Sequence, residues 1–199
     1  MNSVVLSQKY DEPAVCEREI LRYAGCKESD ANITEILHSC LKELNGKFDY
    51  KVCYCVLSVN IKHNICDFGV FSLESKDLAK NLNGCKNVIL FAATVGVGID
   101  RMITKYGRLS VSKALIFQAI GAERIEALCD AFCADMSNEM NVALRPRFSP
   151  GYGDLPIDTQ KKIFSVLDCG KKIGLSLNDS LLMSPTKSVT AFVGVNDKY

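Results

Sequence analysis

The densest group of chemically useful residues lies between positions 145 and 156, in the stretch RPRFSPGYGDLP. These twelve residues include two arginines, three prolines, two glycines, a phenylalanine and a tyrosine. The stretch cannot form a helix, because proline lacks an amide donor and restricts the residue before it. We therefore expect a stiff loop that presents an arginine side chain.

Within this loop, Ser149-Pro150-Gly151-Tyr152 predicts a type II turn, since proline holds the second position and glycine the third. Gly151 has no Cβ, so a ligand can approach its backbone closely. Arg147 carries a planar guanidinium that suits a carboxylate, and Tyr152 adds a flat face and a hydroxyl. These groups are what an amino-acid-bearing ligand requires. The alternative is a Pro-Gly corner in which Arg147 forms an ordinary ion pair.

A second candidate residue is Glu126, in a long stretch with helical character. Projected at 100° per residue, it shares a stripe with small and apolar side chains, namely Leu115, Ala119, Ala122, Cys129 and Cys133. A carboxylate there is costly unless a cation or a hydrogen-bond donor meets it. The alternative is that Glu126 faces a solvent gap beside Glu123 and Asp130, and projection alone does not separate the two.

The passage ATVGVGID offers a third possibility, a phosphate-binding turn, because it follows an apolar strand and precedes a helix. Only Gly96 and Gly98 of the three fingerprint glycines are present, and no complete βαβ unit surrounds them. The pattern favours a tight turn that lets strand and helix pack closely.

The chain has ten cysteines and no secretory signal at its N-terminus, which predicts a cytoplasmic location and free thiols. Cys53 and Cys55 would share one face of a strand, and Cys129 and Cys133 one face of a helix. Neither pair has CxxC spacing or a nearby histidine. We expect small core residues rather than metal ligands.

Composition limits the classes of partner. The 199 residues suggest one domain or two small ones, and 24 basic against 23 acidic residues give a net charge of +1. This balance argues against a nucleic-acid or membrane-surface binder, which needs a basic excess. No apolar run approaches the roughly 20 residues of a membrane span.

The elements that position these residues follow from hydrophobic periodicity and turn signals. Helices are predicted at 16–25, 30–46 with Asp30 as cap, 75–84, 97–107, 110–140 and 158–170. Strands are predicted at 3–7, 50–61, 67–73, 86–96 and 188–195. Because no regular βαβ rhythm appears, we expect an α+β fold with a mixed or antiparallel sheet and flanking helices.

The pattern Arg147-Phe-Ser-Pro-Gly151-Tyr152 resembles the Arg-x-x-x-Gly-Tyr motif of the activation domain of cobalamin-dependent methionine synthase. The likeness continues through DLP and through KKIGLSLNDSLLMSPTKSVTAFVG. The helix ALIFQAIGAERIEALCDAF aligns with the family's long helix and places Glu126 on its ligand-binding glutamate. The resemblance is best over 85–199 and weaker over 1–84, and it implies one activation-domain-like domain over 1–199.

The resemblance implies an S-adenosylmethionine site formed by Glu126, Arg147, Pro150, Gly151 and Tyr152, with no metal. Arg147 would pair with the ligand carboxylate, and Glu126 would hold the polar end of the ligand. The methyl group would go to inactive cobalamin on a separate methionine synthase or corrinoid protein. A flavodoxin-like donor would supply the electron, in the service of methionine biosynthesis.

Two features depart from the family pattern. Asn141 stands six residues before the motif arginine, where the family has an acidic residue, and the N-terminal Asp-Trp passage has no clear match. Two functions follow from the resemblance. One is a reactivation component that binds S-adenosylmethionine. The other is a non-catalytic interaction module of the same fold, which docks on corrinoid proteins without using that ligand.

Overall fold

The computed structural model describes residues 4–26 and 31–197. The helices are α1 Glu17–Tyr23, α2 Ala31–Leu44, α3 Lys76–Asn81, α4 Gly98–Leu109, α5 Val111–Glu139, α6 Thr159–Leu167 and α7 Cys169–Ile173. The strands are β1 Leu6–Lys9, β2 Lys51–Ser58, β3 Asn60–Lys62, β4 Ile65–Asp67, β5 Ser72–Glu74, β6 Asn87–Thr94, β7 Val142–Leu144, β8 Ser176–Leu177, β9 Met183–Ser184 and β10 Ser188–Asp197. The expected cap Asp30 lies outside the described residues.

Five strands form the main sheet, in the order β1-β2-β6-β10-β7. Every neighbouring pair is antiparallel, so the α+β prediction with an antiparallel sheet is confirmed. The central strand β6 is the apolar run predicted at 86–96, and its residues from Val88 to Thr94 are all buried. Two smaller sheets, β3-β4-β5 and β8-β9, lie outside it.

Helices cover both faces of the sheet. Alternate residues of β6 point to opposite faces, with Ile89 and Phe91 in one core and Val88 and Leu90 in the other. The first core packs against α1, α2, α4 and α5, and the second against α3, α6 and α7. None of the helices in 4–26 and 31–197 is long and apolar enough to cross a membrane.

Several predicted elements differ from the structure. The strand predicted at 50–61 divides into β2 and β3, which belong to different sheets. The strand predicted at 67–73 is a turn between β4 and β5, where Gly69 has φ +77° and donates its N–H to Asp67 Oδ1 at 2.9 Å. The helix predicted at 158–170 divides into α6 and α7 at Asp168, which adopts the left-handed conformation with φ +49°. The first strand begins at Leu6, later than predicted.

The glycines between β6 and α4 permit close packing, as the sequence favoured. Gly96 has φ +82°, a conformation that side chains rarely adopt. A Cβ on Gly98 would collide with the carbonyl oxygen of Lys47. The turn is thus occupied by the protein's own backbone.

A buried ion pair holds the N-terminal segment against α5. Arg124 is fully buried, and its Nε donates to Glu123 Oε2 at 2.5 Å. Its terminal nitrogens donate to the carbonyl oxygens of Pro13 at 2.6 Å and Ala14 at 2.7 Å. The backbone N–H of Cys16, which precedes α1, donates to Glu123 Oε1 at 3.0 Å. This network fixes where α1 starts and therefore where its residues meet α5.

Candidate functional site

The loop at 145–156 has the turn that the sequence predicts. The N–H of Tyr152 donates to the carbonyl of Ser149 at 3.1 Å, and Gly151 has φ +88°, as a type II turn requires. Pro150 is buried, whereas Tyr152 is 72% exposed. The turn therefore has a fixed base and an aromatic side chain that projects from the surface.

The approach to this turn is tied to the sheet. Phe148 and Phe192 exchange two backbone hydrogen bonds of 2.9 Å, and the N–H of Arg145 donates to the carbonyl of Gly194 at 2.9 Å. Residues 145–148 thus continue the edge of the sheet alongside β10 after β7 has ended. Arg147 lies within this tethered segment, so its backbone is held in place before the turn begins.

Arg147 joins the loop to α5 through two carboxylates. Its Nη2 donates to Glu126 Oε2 at 2.6 Å and its Nη1 to Asp130 Oδ1 at 2.5 Å. Glu126 and Asp130 are four residues apart and share one face of the helix. The guanidinium is half-buried, while Asp130 is largely exposed.

These contacts settle how the charges of this region are arranged. Glu126 faces the loop arginine, and Glu123 is buried and paired with Arg124, so the two glutamates have different cationic partners. Burial alone would lower the pKa of Arg147, but the hydrogen bond with Asp130 and the neighbouring side chains raise it above its ordinary value. One cation here faces two carboxylates.

A cavity of about 760 Å³ lies beside the turn. Its walls include two arginines, one carboxylate, two tyrosines and a serine, namely Arg145, Arg147, Glu126, Tyr23, Tyr152 and Ser149. Pro150 and Gly151 form the turn between Ser149 and Tyr152. The structure therefore groups the five expected residues in one region, with Glu126, Arg147 and Tyr152 on the cavity wall.

A second cavity, of about 460 Å³, adjoins the first and shares Tyr23 and Glu126 with it. Its walls also include Glu19 and Asp130, so it is the more acidic of the two. Helix α1 thus contributes to a site that the sequence placed entirely in the C-terminal half.

Sequence reasoning did not select Tyr23, Asp130 or Arg145 as site residues. For Asp130 a signal existed, because it lies one helical turn beyond Glu126. Nothing in the local sequence marks Tyr23, which reaches the site only because α1 packs on α5. Asn141, the position where the family has an acid, follows the end of α5 with φ +51° and is exposed.

All ten cysteines are free, and seven are buried. Cys53 and Cys55 belong to the same core, as their spacing predicts, and Cys129 and Cys133 both pack on the other core. Burial raises the pKa of Cys40 and Cys55 to about 11. Within 4–26 and 31–197, no group of three or more histidine, cysteine or acidic residues is arranged to hold a metal.

We expect thiol titration of the native protein near pH 8 to modify exposed Cys16 first, because only thiolates react and burial disfavours them. All ten thiols should react after denaturation. Chelators should leave the melting temperature unchanged. The measurement is thiol counting with and without denaturant, together with metal analysis. A stoichiometric metal in the purified protein would contradict this prediction.

The family is decided by comparison with known sequences. A sequence profile described as "Vitamin B12 dependent methionine synthase, activation domain" matches residues 75–199, which is more than half of the chain. The chain belongs to this activation-domain family. The match contains Glu126, Arg147 and the turn, and it begins ten residues before the region where the motifs alone were clear. A search of curated protein sequences found no match.

Comparison with solved structures extends the likeness of the activation-domain fold to the rest of the chain. The protein resembles a chain in the "Crystal Structure of the MetH Reactivation Domain bound to AdoHcy", with a TM-score of 0.71 and 13% sequence identity. The alignment covers 100% of this chain and 81% of that one. At this identity the likeness establishes the fold, and it includes α1 and α2, which lie before the profile match.

Proposed function

We propose that this activation-domain protein binds S-adenosylmethionine and serves the reductive reactivation of cobalamin on a partner protein. The observation that carries the proposal is the placement of Arg147 beside Glu126 at a cavity bordered by the Pro-Gly turn. This arrangement places a cation for the ligand carboxylate, an anion for the ligand ammonium and an aromatic side chain at one cavity. The family membership and the fold support the same conclusion.

Hydrogen-bonding capacity at Arg147 suits this role. A guanidinium has five N–H donors, and the contacts with Glu126 and Asp130 occupy one on each terminal nitrogen. Further donors are available to a ligand carboxylate. Arg147 and Arg145 are cations on the cavity wall, while Glu126 and Asp130 place two carboxylates beside them. This mixture of charges favours a ligand that has both a carboxylate and a cationic group.

Each proposed residue has a distinct part. Arg147 pairs with the carboxylate, Glu126 holds the ammonium end, and Tyr152 lines the site beside the open backbone of Pro150 and Gly151. When bound, S-adenosylmethionine supplies the methyl group destined for cobalamin. The partners we propose are a cobalamin-carrying methionine synthase or corrinoid protein and a flavodoxin-like electron donor.

Titration of the protein with S-adenosylmethionine tests the binding. A ligand at 100 times its Kd stabilises the folded state by about 2.7 kcal/mol. For a chain of this size the melting temperature should rise by about 5–10 °C. Absence of both binding heat and a melting shift would leave the alternative, an interaction module that docks on corrinoid proteins without this ligand.

Replacing Glu126 by glutamine should weaken S-adenosylmethionine binding about tenfold while changing stability little. Glutamine keeps the shape and a carbonyl acceptor but loses the charge that faces Arg147 and the ligand ammonium. The measurement is a pair of titrations at low salt with parallel melts. Glu139→Gln, exposed near the end of the same helix, is the matched control. Equal affinities of parent and Glu126→Gln would remove Glu126 from the site.

A further inference from the structure

The carboxylate of Asp154 fastens the turn of the proposed site to the start of α3. Its Oδ2 accepts the backbone N–H of Lys76 at 2.7 Å, and its Oδ1 accepts that of Asp77 at 3.2 Å. The hydroxyl of Ser75, itself a buried residue, also donates to Oδ1. One side chain thus receives three hydrogen bonds from a segment nearly 80 positions away.

The attachment is reciprocal. The backbone N–H of Asp154 donates to Asp77 Oδ2 at 3.3 Å. Gly153 approaches the Asp77 carboxylate so closely that a Cβ would collide with it, and its φ is +54°. Together, Gly153 and Asp154 seat the C-terminal side of the turn against the start of α3. The backbone of the turn has no room to shift towards α3.

Asp154 does more than cap a helix. Ser75 already caps α3, because its hydroxyl accepts the N–H of Leu78 at 3.0 Å. The hydrogen bonds that the Asp154 carboxylate accepts from the Ser75 hydroxyl and from the N–H groups of Lys76 and Asp77 therefore join the turn to α3, in addition to completing the cap. Their charge-assisted character makes them stronger than neutral ones, and they hold the pKa of Asp154 below its ordinary value, with Ser75 the first cause.

The turn residues of the proposed site, Pro150, Gly151 and Tyr152, lie between two anchors. On one side Phe148 is hydrogen-bonded to β10, and on the other Asp154 is bonded to α3, while Pro150 and Leu155 are buried beneath. Gly151 and Tyr152 are exposed between these points. A ligand site on such a turn has a defined shape only if both ends are fixed.

We propose that Asp154 is a positioning residue for the S-adenosylmethionine site, acting through the placement of Gly151 and Tyr152. This inference rests on the proposed function, because it concerns the geometry of the same site. Asp154 itself lies on the α3 side of the turn and contacts α3 rather than Arg147 or Glu126.

The test compares Asp154→Asn with the parent by titration with S-adenosylmethionine, at a temperature where both are folded. Asparagine offers one acceptor oxygen in place of two, so at least one of the three donors, the Ser75 hydroxyl and the N–H groups of Lys76 and Asp77, loses its partner. We expect affinity to fall about tenfold or more, since small displacements of binding groups are costly. Asp158→Asn is the matched control, because Asp158 lies four residues further along and makes no capping hydrogen bond.

A double-mutant cycle with Tyr152→Ala distinguishes positioning from general support of the fold. If Asp154 acts through the turn, Asp154→Asn should cost much less affinity in the Tyr152→Ala background than in the parent. Equal losses in both backgrounds, or unchanged affinity with a lower melting temperature, would overturn the positioning role while leaving the ligand site in place. A parent that does not bind S-adenosylmethionine would overturn the proposed function and this inference with it.

Discussion

Replacing Arg124 by alanine should destabilise the protein by about 3–5 kcal/mol, the largest effect we expect from any single substitution at a charged residue. The substitution would leave the carboxylate of Glu123 buried with no cation, and it would strip two backbone carbonyls of their donors. Because folded proteins are stable by only about 5–15 kcal/mol, this is a large fraction of the total. A fall of the melting temperature by about 10 °C or more should follow.

The loss of Arg124 should also affect the proposed ligand site. Arg124 and Glu123 hold Pro13, Ala14 and the N–H of Cys16, and so determine where α1 begins on α5. Helix α1 in turn places Tyr23 on the wall of both cavities. Loss of the buried pair should therefore disturb the position of Tyr23 more than that of the turn at 149–152.

Denaturant unfolding of Arg124→Ala and of the double variant Glu123→Gln/Arg124→Met measures the effect. The double variant removes both charges, fills the volume with an apolar chain and keeps an acceptor for Cys16. It should recover much of the lost stability, since the main cost is an unpaired buried charge. A change below 1 kcal/mol for Arg124→Ala would show that water reaches Glu123 and that the pair is not a structural anchor.

Much of the fold could be predicted because its elements have strong local signals. The long stretch of α5, which contains no proline, and the apolar run of β6 each exceed what a loop would contain. The break at Asp168 could not be predicted, because one aspartate in the left-handed conformation leaves no mark on the helical pattern around it. The turn at Gly69 was missed because residues with high β-propensity lie on both sides of it, although the glycine itself indicates a turn.

Less of the candidate site than of the fold could be predicted from the sequence. Local chemistry predicted the turn and marked Arg147 as a carboxylate partner. No spacing rule predicts that Arg147 meets Glu126, 21 residues earlier, because that contact depends on how α5 crosses the end of the sheet. Only the family resemblance placed the two together. The contact between Asp154 and Ser75 is likewise a product of tertiary packing, and no local pattern pairs these two residues.

Replacing Arg147 by alanine should weaken S-adenosylmethionine binding by about 1.5–3 kcal/mol, which corresponds to roughly 10- to 150-fold in Kd. The reason is the loss of charge-assisted hydrogen bonds to the ligand carboxylate. In addition, Glu126 and Asp130 would be left as two neighbouring anions with no cation between them. These two anions would also repel the ligand carboxylate. Removal of Arg147 therefore weakens binding in two ways, by the loss of hydrogen bonds and by added repulsion.

The effect on folding should be smaller, because Glu126 and Asp130 are both partly exposed and water can take over their solvation. Arg147→Lys separates charge from geometry, since a lysine cannot bridge two carboxylates and still offer paired donors to a third. It should bind with intermediate affinity. The measurement is calorimetric titration of the parent, Arg147→Ala, Arg147→Lys and the control Arg101→Ala, which lies exposed on α4. If Arg147→Ala binds as tightly as the parent, Arg147 serves only to join the loop to α5.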